Sequence, residues 1–164
     1  MSLGKTYLDS AIKKLNAYKV LGDKTFEQLD DKDFYYSPNE ESNSIAIIIQ
    51  HVVGNMLSRW TNFLTEDGEK EWRHRDDEFE IHQYSKQKLL KIWNDGWTCT
   101  FNGLQSLTED DLMKTITIRN ESMPAIDAIN NQLAHYPYHV GQIIYIGKII
   151  KNDQWKNLSV PKRK

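Results

Sequence analysis

The feature that most limits what this chain can fold into is its hydrophobic period. Leu8, Ile12, Leu15, Val20, Phe26 and Leu29 recur at intervals near three or four, the spacing of one helical face. The same period returns from Ser44 to about Leu64. It returns again in Leu89, Trp93, Trp97, Phe101 and Leu104, and from Ile126 through Ile129, Leu133, Val140, Ile143, Ile146 and Ile150. Only Thr115-Ile116-Thr117-Ile118-Arg119 alternates as a strand would, before Asn120-Glu121-Ser122 turns the chain. The pattern predicts an all-α four-helix bundle, with helix one interrupted near Gly22 and Pro124 at the first position of helix four. Ser42, Asn43 and Ser44 are each placed to cap helix two, and Ser85 caps helix three. Residues 1–164 are read as one domain, which is long enough to bury a core without staples.

The connections give topology. Glu66 to Glu80 holds eleven charged residues in fifteen and is longer than an antiparallel hairpin needs. It reads as an ordered crossover loop between helices two and three, which then run parallel. Trp72 and Phe79 are its large apolar residues, expected to dock on the bundle and hold it. On helix three, Ile92, Gly96, Cys99 and Gly103 form a second stripe whose small members allow a neighbouring helix to come close.

Charge and composition exclude several functions. With 21 basic and 23 acidic side chains the net charge is −2, so no global field draws nucleic acid or an anionic membrane. The basic stretch Lys156 to Lys164 is too short to change this. The longest aliphatic run, Ile45 to Ile49, is five residues, far below the ~20 of a membrane span. The first residues lack the apolar segment of an export signal, and the lone Cys99 fits a reducing compartment, so a cytoplasmic setting is expected. No phosphate-binding glycine motif occurs.

The candidate chemistry lies in the histidines. His135 and His139 stand four residues apart, so both imidazoles leave one face of helix four a turn apart, the spacing at which two nitrogens can bind one metal ion. Gln132 and Gln142 extend this polar line along an otherwise apolar helix. His51 sits mid-way along helix two, and a bundle can bring it to the pair. The competing reading makes each a core histidine bonded to backbone or amide neighbours. Asn55, Tyr138 and Gln142 are candidate lining groups. His74 and His82, in the charged loop, read as solvated. Tyr136 stands where an H-E-x-x-H protease needs glutamate, and the Glu-x-x-His pairs of a di-iron bundle are missing.

The stretch Leu133-Ala134-His135-Tyr136-Pro137-Tyr138-His139-Val140-Gly141-Gln142-Ile143, with His51, resembles the DinB-like superfamily of bacterial metal-binding four-helix bundles. Ser58-Arg59-Trp60, Gly68-Glu69-Lys70, Trp72-Arg73 and Glu78-Phe79 look like one branch of it whose members have no assigned activity. The resemblance implies that His51, His135 and His139 bind a divalent metal, zinc or nickel first, with iron or manganese next. Pro137 departs from the family pattern and predicts a kink between the helix-four ligands.

Relatives in that superfamily include bacillithiol- or mycothiol-dependent transferases and a mycothiol-dependent isomerase. The resemblance therefore implies a metal-dependent enzyme that moves a low-molecular-weight thiol onto a small electrophile, with a homodimer as the usual assembly. Cys99 is then a small core residue, because the cosubstrate supplies the sulfur. The alternative is a metal-binding or stress-related bundle protein without catalysis.

Overall fold

The computed structural model describes residues 2–160, so the last four residues of the basic tail lie outside the described residues. Four long helices dominate it: α1 (Leu3–Phe26), α2 (Ile45–Trp60), α3 (Lys86–Gln105) and α4 (Ala125–Lys151). A two-stranded antiparallel hairpin, β1 (Thr115–Ile118) and β2 (Glu121–Pro124), precedes α4. The chain is an all-α bundle. Ser2, Ser44 and Ser85 cap α1, α2 and α3, each side chain accepting from the amide three residues on.

Several boundaries differ from those the sequence predicts. α1 runs unbroken through Gly22, because a side chain there would meet Trp93 Cζ2 at 2.8 Å and the glycine serves packing instead. α2 stops at Trp60, where Asn62 takes a left-handed φ of 50° and turns the chain away. Pro124 closes β2 and caps α4 from outside it. α4 continues past Pro137, whose ring nitrogen has no hydrogen for the Leu133 carbonyl.

Packing pairs set the helix directions. Gly96 faces Val53 and Met56, and Gly103 faces Trp60, so residue numbers rise together and α2 runs parallel to α3. A Cβ at Gly103 would lie 3.0 Å from Trp60 Cε3, so the small stripe does bring these helices close. Tyr7 bonds Asn130 and Thr25 touches Gly147, which makes α1 parallel to α4. Trp60 bonds Tyr136 while Ile48 shares a cavity wall with Ile146, so α2 and α4 are antiparallel. The core between them holds Trp93, Trp97, Tyr136, Phe26 and Phe34, all essentially inaccessible.

The crossover loop is fastened by polar groups. Ser58 Oγ donates to the Gly68 carbonyl and accepts from the Lys70 amide, both at 2.9 Å. Gln50 Nε2 donates to the carbonyls of Glu78 and Glu80 at 3.0 Å. Asp67 accepts from the amides of Arg119 and Asn120, the two positive-φ residues of the hairpin turn. Phe79 does pack, half-buried with its ring 5.1 Å from that of His51. Trp72 does not dock, being 53% exposed, because buried ion pairs hold the segment around it.

Candidate metal centre

α2 and α4 bring His51, His135 and His139 together at mid-bundle. One ligand atom from each lies within 4.8 Å of the others. Nε2 of His135 and Nε2 of His139 are 3.1 Å apart, so the one-turn spacing survives Pro137. The His51 ring centroid is 5.5 Å from that of His135 and 5.0 Å from that of His139. His51 is 9% exposed and His139 7%, while His135 is half-buried. Tyr138 lies at the exposed edge, its ring 4.1 Å from that of His139.

Every ring nitrogen turned away from the cluster meets an oxygen. His51 Nδ1 is 3.0 Å from Glu78 Oε2, His135 Nδ1 3.3 Å from Gln132 Oε1 and His139 Nδ1 2.9 Å from Gln142 Oε1. A carboxylate or amide oxygen only accepts, so each Nδ1 carries the proton and each Nε2 keeps its lone pair. Between His135 and His139, two lone pairs then face each other across 3.1 Å with no proton between them. A cation relieves that arrangement, and oxygen partners on the outer nitrogen are how metal-binding imidazoles are commonly oriented. The donor set fits a divalent metal.

The local field keeps the His135 and His139 rings neutral. Burial first, then the positive charges of His139, His51, Arg73 and Arg59, lower His135 to about 3. Burial likewise lowers His139 to about 4, against the opposing bond to Gln142. Neither nitrogen pair has to release a second proton before it binds a cation near neutral pH.

Glu78, missed in the sequence, is the acid of this site. Burial would raise its carboxyl, but the bonds from His51 and Arg73 and the Arg73 charge hold it below the ordinary glutamate value. Arg73 donates from Nε to Oε1 at 2.7 Å and from Nη2 to Oε2 at 2.9 Å, a two-point clamp. Gly54 makes room: its missing Cβ would overlap the carboxylate, lying 2.6 Å from Glu78 Cδ. The signals in the sequence were an acid beside Phe79 within a run of acids and the family resemblance of the Glu78-Phe79 pair, neither of which gives that acid a role at the site.

Other candidates sort clearly. Gln142 orients His139, and Asn55 accepts from the Tyr136 hydroxyl at 3.2 Å, one step removed from the histidines. Tyr136 also accepts from Trp60 Nε1 at 3.0 Å, and burial pushes its hydroxyl up, so it stays a neutral structural link. His74 and His82 are exposed, as expected. Cys99 is half-buried on the α2/α3 seam, with Sγ 3.8 Å from Thr61 Oγ1. No described helix is long and apolar enough to cross a membrane.

Fold and site together define a helical bundle with a buried three-histidine cluster able to accept a metal ion. The model of the family described as "Protein of unknown function (DUF1572)" matches residues 2–164, and the chain belongs to that family. No curated protein and no solved structure matches it.

Proposed function

We propose that His51, His135 and His139 hold one divalent cation and that the chain is a metal-dependent enzyme of the DinB-like kind, transferring a low-molecular-weight thiol to a small electrophile. The observation that carries the metal reading is the convergence of imidazole nitrogens whose outer nitrogens all face oxygen acceptors. Neutral imidazoles favour zinc, nickel or iron over calcium or magnesium, with zinc and nickel foremost and manganese, which prefers oxygen donors, after them. Bound there, the cation supplies Lewis acidity that favours thiolate over thiol near neutral pH.

The protein's own groups have defined parts in this reading. Glu78, Gln132 and Gln142 fix which nitrogen each histidine presents. Tyr138 forms the exposed edge of the site beside His139. Cys99 contributes no sulfur, because the thiol comes with the cosubstrate. A cytoplasmic homodimer completes the proposal.

The experiment is in two stages. Protein purified without chelators or a nickel column is analysed for metal, beside a folded His139→Ala variant; wild-type stoichiometry in that variant would refute the ligand set. Bacillithiol, glutathione and cysteine are then screened against model electrophiles. Conjugation that disappears on chelation, returns with divalent ion and survives Cys99→Ala supports the enzyme. Metal binding without turnover on any thiol replaces it with the non-catalytic alternative.

A further inference from the structure

A cavity of about 330 Å³ opens beside the histidine cluster, between α4, the start of α2 and the connection that precedes it. Ile48 stands three residues before His51 on α2 and Gln142 three residues after His139 on α4, and both line this cavity, so it begins one turn from two of the histidines. Ile48 and Ile146, 2% and 6% exposed, give it an apolar floor, and the exposed Tyr145 gives it an outer wall. The charge of the lining is one-sided. α4 carries no Asp, Glu, Lys or Arg from Ala128 to Gly147, so the wall it supplies is neutral. Among the described residues Glu41 is the one charged side chain that lines the cavity, and no cation pairs with its carboxylate there.

We propose that this cavity binds a small organic cation, a primary ammonium on an aromatic body, with the ammonium at Glu41 and the ring among Tyr145, Ile48 and Ile146. An ammonium donates charge-assisted hydrogen bonds to a carboxylate and is drawn to the face of a tyrosine ring, while its apolar body covers the two isoleucines. The volume falls at the small end of ligand pockets, which run from about 300 to 1,000 Å³. None of these groups belongs to the three-histidine cluster, so the cavity accepts its ligand with or without a metal ion.

The full chain is titrated near neutral pH with benzylammonium, benzyl alcohol and benzoate, three probes that share a ring and differ in charge. The backbone amide resonances of Ser42, Asn43, Gln142 and Tyr145 are followed. The expected result is a saturating shift of these amides with benzylammonium, affinity about tenfold lower for benzyl alcohol, and no saturation with benzoate. Glu41→Gln should bring benzylammonium down to the affinity of the alcohol, and Tyr145→Ala should weaken both. Both side chains are exposed, so neither substitution disturbs the core. Equal affinity for the alcohol and the ammonium, tighter binding of benzoate, or a benzylammonium affinity unchanged in Glu41→Gln would each overturn the proposal. Shifts at His135 and His139 with none at Ser42 and Asn43 would place the amine on a bound metal ion, overturning the ammonium site while supporting the metal reading. Saturable binding at Ser42 and Asn43 in protein that takes up no divalent cation would support the ammonium site and refute the metal centre.

Discussion

At the residue scale, a methyl group added at Gly54 would overlap Glu78, so the carboxylate would have to leave His51. Partners of this kind on a ligating histidine change metal affinity by about 10- to 100-fold. Gly54→Ala is therefore expected to weaken divalent-cation affinity by about that factor with the helical spectrum unchanged. Glu78→Gln, which keeps an oxygen acceptor, should lose less. Competition with a chromophoric chelator measures both, and wild-type affinity in Gly54→Ala would show that His51 does not depend on this bond. The same neighbourhood fixes a pH dependence. His135 and His139 fall from 6.5 to about 3 and about 4, so below 6.5 the unfolded chain binds protons that the folded chain refuses. Their contribution is fully present above 6.5 and is lost as pH falls toward about 3. Glu78, also lowered, acts in the same direction below the ordinary glutamate value. Urea titrations of metal-free protein should show stability decreasing through that window, and a shallower slope in His135→Gln.

At the scale of elements, the crossover loop is held by charge and hydrogen bonding where the sequence pointed to aromatic docking. The Arg73 side chain is 2% exposed and that of Glu78 9%, so removing one leaves the other buried and unpaired. Arg73→Ala should cost about 3 kcal/mol by denaturant unfolding. Trp72→Ala should stay within about 0.5 kcal/mol, as surface substitutions usually do. The reverse order would mean that Trp72 anchors the loop. Between α2 and α3, the Cβ of Gly103→Ala would press on Trp60, and overpacking of this kind costs about 1–3 kcal/mol. An unchanged unfolding midpoint would show that the two helices can separate freely at this point.

At the scale of the whole molecule, α2 and α4 come from distant parts of the chain, and a cation held between them binds the folded state alone. Such linkage stabilises by about 4 kcal/mol at a free concentration of about 1,000 times the dissociation constant. The melting temperature of wild type should therefore rise with added zinc or nickel and fall on chelation. His139→Ala should show neither response. Identical melting curves with cation and with chelator would remove the metal centre from the account of stability.

The four helices, the Ser85 cap and the one-face spacing of His135 and His139 could all be read from the chain itself, and Ser44 was one of three adjacent candidates for the α2 cap. Each depends on residues within a turn or two, where the helical period maps sequence distance directly onto space. The parallel run of α2 and α3 was also legible, because the length of the connection between them limits how they can be joined. Glu78 and Arg59 were not. Glu78 lies 27 residues from His51 along the chain, and its neighbours Asp76, Asp77 and Glu80 have the same chemistry. Only the path of the loop over Gly54 selects it. Arg59 has the charge of any surface arginine until the chain above it buries the guanidinium and the nearby acids turn to other partners. Local periodicity determined the helices and one face of the site. Which charge meets which ring depends on contacts between segments far apart in sequence, and these exist only once the bundle has closed.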